Sequence, residues 1–353
     1  MDFLSLLAFV SLFSTAFAAT IPQPRAYGEA PEHHVVHQFP DPTWVENIAV
    51  RSNGQLLVDI ITSPDIYLID PPISSLDPAS AKTTTLVHSF APELSVIGIT
   101  EVERDHFYCI VGNVSLATKN LGLGTYGIYS VNLQTYNSIS NTGAIISPIA
   151  ELPQAGLLNG MTTLDVSKGL VIMADSTEGA IWILNVKTGT YSILLQTPEM
   201  APPAAGGPLA LGINGVRLHR SGDTATIYFS NQGAGIFYRF PLSISTLKPT
   251  GPIVPVKTDV VVDDFALDVE RGVAYLASSN QNAVLQQPLD GGDYSILLGG
   301  TNSTELPGPT SVALGRGGGE KGVIYVTTNG GLLAPINGTY SEGGKVVAIE
   351  LDC

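Results

Sequence analysis

Six positions recur at the head of a repeated segment: Asn47, Gly98, Asn159, Asn214, Asp264 and Thr310. Most carry an amide, a carboxylate or a hydroxyl. Oriented amides can polarise a carbonyl in a site shielded from water. The same oxygens, joined by a carboxylate such as Glu46 or Asp263, suit a hard cation such as Ca²⁺ or Mg²⁺. A second set closes the next segment of each copy: Asp59, Asn113, Asp175, Asn231, Asn280 and Asn329. Side chains of these types also make turns, so one such residue is no site, whereas a converging ring of them is one.

Other signatures of catalysis are missing. No G-x-S-x-G elbow occurs, which excludes a hydrolase of that fold. No H-E-x-x-H or C-x-x-C is present, which disfavours zinc. Gly122 to Gly127 spells G-x-G-x-x-G but leads into IYSVNL, a strand, whereas the dinucleotide fingerprint must open a helix. Of the six histidines, His33, His34 and His37 share one short strand, and His88, His106 and His219 lie away from the anchors. None is placed as a general base.

The elements that position the anchors form a repeat. Each copy reads as an alternating strand, a tight turn, a second strand, and then a Ser/Thr/Asn/Asp cluster. NGMTTLDVSKGLVIMADST from Asn159 and DFALDVERGVAYLASSNQN from Asp264 are two examples. The anchors are spaced by 51, 61, 55, 50 and 46 residues. A third strand follows every copy (AIWILNVKTG, KVVAIELD), and most have a fourth (YSILLQ, YSILLGG). Four antiparallel strands in about 40–50 residues make a propeller blade. The last copy stops after three strands, and HHVVHQFP (His33 to Pro40) precedes the first anchor. The expectation is an all-β, six-bladed propeller over 30–353, closed by that N-terminal strand, which removes exposed edges. Its anchors would meet at one mouth of the channel.

Composition agrees. Charged residues are 13% of 353, against about 25% in an ordinary domain. There are 37 Gly and 24 Pro, which favours short strands and turns over long surface helices. Net charge is −15 with 16 Lys and Arg, a poor match to nucleic acid. Residues 1–18 read as a secretory signal peptide cut after Ala18, and 19–29 as a linker. No later apolar run is long enough to span a membrane. The chain is therefore expected in the secretory pathway, secreted or lumenal, without a membrane partner. Asn113, Asn302 and Asn337 then become candidate glycan acceptors. Cys109 and Cys353 become either a disulfide pair or two free thiols.

The opening Trp44-Val45-Glu46-Asn47, the pairs Asn159-Gly160 and Asn214-Gly215, and Asp263-Asp264 resemble the SMP-30/gluconolactonase/LRE-like propellers along nearly the whole mature chain. In overall style the sequence is similar to a fungal secreted subgroup, the hetero-Diels–Alderases of tropolone sesquiterpenoid biosynthesis. The subgroup implies a cofactor-free cycloaddition of a tropolone-derived quinone methide with a humulene-type alkene. Asn47, Asn159, Asn214 and Asp264 would then be the catalytic set, with Trp44, Phe265 and Thr310 against the substrate. Lactonase-type members imply instead a Ca²⁺ or Mg²⁺ held by Glu46 or Asn47, Asn159, Asn214 and Asp264, with Asp263 or Glu46 as base. A non-catalytic binding propeller is the third alternative. In each case the partner is a small hydrophobic metabolite, and the protein a monomer or weak homodimer.

Overall fold

The computed structural model describes residues 30–71, 84–204, 210–316 and 322–351. The expected signal peptide and linker, 1–29, lie outside them, as does Cys353. Among the described residues no helix is long and apolar enough to cross a membrane.

The strands form six antiparallel sheets. After β1 (His33–Gln38), blade 1 is β2 (Val45–Val50), β3 (Leu56–Ile60), β4 (Asp65–Ile69) and β5 (Thr84–Ser89). Blade 2 is β6 (Ser95–Glu103), β7 (His106–Gly112), β8 (Tyr126–Asn132) and β9 (Ile145–Leu152). Blade 3 is β10 (Leu158–Asp165), β11 (Leu170–Asp175), β12 (Ala180–Asn185) and β13 (Thr190–Gln196). Blade 4 is β14 (Ile213–Ser221), β15 (Thr224–Asn231) and β16 (Ile236–Ser243), whose outer edge is shared by β17 (Lys248–Pro249) and β18 (Val254–Thr258). Blade 5 is β19 (Phe265–Asp268), β20 (Val273–Ser278), β21 (Ala283–Pro288) and β22 (Ser295–Gly299). Blade 6 is β23 (Pro309–Leu314), β24 (Val323–Thr328) and β25 (Lys345–Glu350), with β1 as its outer strand. The six-bladed propeller closed by an N-terminal strand is therefore what the chain forms. His33 pairs with Ile349 and Gln38 with Lys345.

Strand alternation explains the packing. Successive side chains point to opposite faces, and a blade has a neighbour on each face. Leu56 and Val58 enter the apolar cluster between blades 1 and 6, while Leu57 enters the one between blades 1 and 2. The six clusters each fill one gap between neighbouring blades. Inner strands such as β2 and β10 are thus buried on both faces along most of their length, and outer strands such as β13 are half exposed.

Near the axis the inner strands crowd one another. A Cβ on Gly160 would meet the carbonyl oxygen of Asn214 at 2.6 Å, and one on Gly215 would meet Asp264 Oδ1 at 2.5 Å. That crowding is the physical content of the two Asn-Gly pairs: the first residue carries a side chain to the mouth, and the second must have none.

Cys109 sits on β7 in the cluster between blades 1 and 2, as a free thiol with no solvent exposure. Its Sγ donates to the carbonyl of Tyr129 at 3.7 Å. The expected partner, Cys353, lies outside the described residues. Asn302 and Asn337 are exposed on connections, and Asn113 is half-buried.

Candidate active site at the channel mouth

In blades 1 to 4 and in blade 6 the inner strand slips register against its neighbour near its start, for example between Val45 and Ile48 and between Ile213 and Val216. Such a bulge re-aims a side chain and frees a backbone N–H. Side chains of the second strand satisfy those groups. Asn47 N–H donates to Asp59 Oδ1 at 2.8 Å, Gly215 N–H to Ser230 Oγ at 2.9 Å, and Ser311 N–H to Thr327 Oγ1 at 3.1 Å.

The bulges turn Glu46, Ile97, Asn159 and Asn214, together with Asp263, into a cavity of about 420 Å³ at this mouth. Trp44, Ile61, Leu157 and Leu211 build apolar wall. Two long connections roof it: residues 113–125 contribute Val114, Leu116, Lys119 and Leu121, and residues 329–344 contribute Leu333 and Ala334. Asn280 and Asn329 from the second ring also line it, whereas Asp59, Asp175, Asn231 and Asn113 do not. Asp175 instead accepts bonds from the Gly156 N–H and Trp182 Nε1, and Asn231 Nδ2 donates to the carbonyls of Glu199 and Ala201.

The expected residues fall on two levels. Trp44, Glu46, Asn159 and Asn214 line the cavity. Asn47 and Asp264 lie one position further along their segments, outside its lining, and bond to each other at 3.0 Å. The cavity-facing acid of blade 5 is Asp263, not Asp264, and that of blade 1 is Glu46 in place of Asn47. Phe265 is wholly buried between blades 4 and 5, with its ring 4.8 Å from that of Phe237. It is core, not a stacking surface. Thr310 Oγ1 donates to the carbonyl of Val45 at 2.7 Å, tying blade 6 to blade 1.

Gln232, just past β15, also lines the cavity and belongs to neither ring of residues marked by the repeat. Asn214 Nδ2 donates to Gln232 Oε1 at 2.9 Å and to Asp263 Oδ1 at 2.7 Å. Both amide hydrogens of Asn214 are thereby engaged, and Gln232 is oriented with its Nε2 as the remaining donor. The Asn231-Gln232 step is the only sequence signal for it. The roofing connections had a clearer one: they outlast the tight turns of the other copies.

The acids are strongly perturbed. Burial pushes Glu46 well above the usual carboxylate range, and the nearby Asp263 and Asp59 carboxyls push it further. Asp263 is raised by burial and by Asp264, with Asn214 acting the other way. Asp59 is raised to about 7, chiefly by burial. The Trp44 side chain donates a hydrogen bond to Glu46, which acts the other way. Among the described residues Glu46 Oε2 and Asn214 Oδ1 are buried without a hydrogen-bond partner. Unpaired buried polar atoms are costly unless a ligand meets them.

The same atoms test the cation that the resemblance to lactonase-type propellers implies. Among the described residues no group of three or more His, Cys, Asp or Glu is arranged to hold a metal. The set Glu46, Asn159, Asn214 and Asp263 supplies two carboxylates and two amides around one cavity, with unpaired acceptors on Glu46 and Asn214. All-oxygen donors of this kind fit Ca²⁺ or Mg²⁺.

No protein-family model matches the chain. It is 29% identical to a protein from Phoma sp. named as a hetero-Diels–Alderase, over 90% of this chain and 93% of that protein. It is 27% identical to one of the same designation from Sarocladium schorii, over 83% and 77%. Solved structures share the fold: a luciferin-regenerating enzyme (TM-score 0.62, 14% identity, 92% of this chain and 98% of that one), and the calcium-binding protein regucalcin from Agrobacterium tumefaciens (TM-score 0.57, 13% identity, 91% and 96%). The allergen Mala s 1 of Malassezia sympodialis superposes at TM-score 0.61, with 12% identity over 92% and 97%.

Proposed function

We propose, for a chain similar along nine-tenths of its length to a protein named as a hetero-Diels–Alderase, that it is a pericyclase working in the mouth cavity. The observation that carries this reading is the cavity itself. It is walled by Trp44, Leu116, Leu121, Leu157, Leu211 and Leu333, with oriented amides among them. A cycloaddition needs two reactants held in one near-attack geometry, and orientation alone is worth roughly 7–11 kcal/mol of barrier.

The partners we assign are a tropolone-derived quinone methide and a humulene-type alkene, in secondary-metabolite (meroterpenoid) biosynthesis. The carbonyl oxygen of the quinone methide and its exocyclic methylene carbon are the ends of the heterodiene. Each bonds to one alkene carbon, giving a C–O and a C–C bond with no atom lost. Electron density moves onto that oxygen as the bonds form. Asn159, and the Gln232 Nε2 held outward by Asn214, are the donors suited to meet it. Apolar walls hold the alkene, with Trp44 against the rings.

Glu46, Asn159, Asn214 and Asp263 also fit a divalent cation, which when bound would polarise a carbonyl as a Lewis acid. That is the specific support for a second reading, a lactonase with one of the buried acids as base. Incubating the protein with a quinone-methide precursor plus humulene, and separately with simple lactones, separates the two. Cycloadduct above background supports the first reading; lactone hydrolysis without cycloadduct rejects it.

A further inference from the structure

A hydrogen-bonded layer crosses the propeller axis beneath the cavity. Asn47 of blade 1 joins Asp264 of blade 5, and Ser311 of blade 6 donates to Asn47 Oδ1 at 3.1 Å. Arg217 of blade 4 completes it. Its Nη2 donates to Asp264 Oδ2 at 2.5 Å, and its Nη1 to the carbonyls of Met161 in blade 3 (3.1 Å) and Val216 (2.9 Å). Asn47, Asp264 and Ser311 are buried. Below the layer a second cavity, about 380 Å³, opens toward the opposite mouth, with Arg217 and Met161 in its lining. Among the described residues none lines both cavities.

Asp264 is buried and Arg217 half-buried, and taking such a pair out of water makes it a poor source of stability compared with apolar packing. What the guanidinium does here is geometric. Its planar fork meets the Asp264 carboxylate and the carbonyls of Met161 and Val216, groups of three blades, at once.

We propose that the Arg217-centred layer is a water seal for the reaction cavity, keeping solvent in the lower cavity from a water-sensitive reactant held above it. This rests on the pericyclase reading. Water quenches a quinone methide by bonding through oxygen to the exocyclic methylene carbon. The π pair moves onto the carbonyl oxygen, which takes the proton, and the product is a hydroxymethyl compound. Cycloaddition uses the same carbon and the same oxygen, so the two reactions compete. The roofing connections and the alkene cover the upper side of the bound heterodiene, and the layer covers the floor.

The test is the ratio of cycloadduct to water adduct from one incubation, with folding checked by circular dichroism. Arg217→Ala opens the layer and lowers the ratio about tenfold, a barrier difference near 1.4 kcal/mol. Arg217→Met restores the length without the charge and returns the ratio close to that of the unmodified protein. Asn47→Ala thins the same layer from blade 1 and serves as the opening variant where Arg217→Ala does not fold. An unchanged ratio in the opening variants overturns the seal. So does an equal fall in the alanine and methionine variants of Arg217, because charge and not blockage would then be at work. No cycloadduct above background from the unmodified protein overturns the pericyclase reading itself, and the seal with it.

Discussion

Asn214 Nδ2 lies 2.7 Å from Asp263 Oδ1 and bridges the head of blade 4 to the head of blade 5. This bond sets the role of Asn214. With its second hydrogen on Gln232 Oε1, Asn214 positions a neighbour and does not itself donate to a ligand.

The rate effects should follow that division. Asn159→Ala and Gln232→Leu each remove one oriented donor. Loss of a donor that stabilises an oxyanion typically costs about 2.7–4 kcal/mol. A cycloaddition builds less charge, so the expected fall in kcat is roughly tenfold. Asn214→Ala should approach the Gln232 variant, because it releases that side chain. Asp264→Asn should be milder. Single-turnover rates of cycloadduct formation check the order; equal rates in all four variants would reject the assignment.

Chelator should leave cycloaddition intact. Activity after dialysis against EDTA, read beside metal content by mass spectrometry, tests it. Loss of activity that Ca²⁺ or Mg²⁺ restores, together with its abolition in Asp263→Asn, would favour the cation reading.

Deleting residues 30–40 should destabilise the whole ring. β1 supplies the outer strand of blade 6, and Val36 is buried against blades 1 and 6. That one side chain is worth roughly 1.5–3 kcal/mol of apolar burial. An unchanged melting temperature in the deletion variant would refute closure by this strand.

Stability should fall as pH rises from about 4 toward 7. Asp59 is raised from 3.8 to about 7. Between those values the unfolded chain has lost a proton that the folded protein keeps, so unfolding gains with each step in pH. The gap corresponds to about 4 kcal/mol at most. Urea midpoints at pH 5 and pH 8, for the unmodified protein and for Asp59→Asn, are the measurement. The fall should be smaller in the variant.

Cys109 should resist labelling in the native state. Its side chain is wholly buried, and burial pushes the thiol up, away from the reactive thiolate. Peptide mass mapping after brief alkylation, with and without denaturant, decides it. Native-state labelling at Cys109 would contradict the packing between blades 1 and 2.

The repeat was legible because a blade is local. Turn residues, alternation and a third strand recur within each copy, and the incomplete last copy pointed to His33–Pro40 as its missing edge. Asn159 and Asn214 were legible too, since an Asn followed by Gly at the head of an inner strand marks a side chain directed to the mouth beside a crowded backbone. Tertiary structure decided the rest. In a strand a shift of one residue reverses the side a residue faces, and the bulge after Val45 made that choice for Glu46 over Asn47. In blade 5 the ordered strand starts only at Phe265, so neither Asp263 nor Asp264 had a pleat to be counted from. Phe265 went to the core because Phe237 of the next blade waits across the gap. Gln232 meets Asn214 across a strand pair of its own blade, a contact that no short motif marks. Arg217 and the roofing leucines meet residues of other blades. Their roles exist only once closure of the ring brings different blades around one axis.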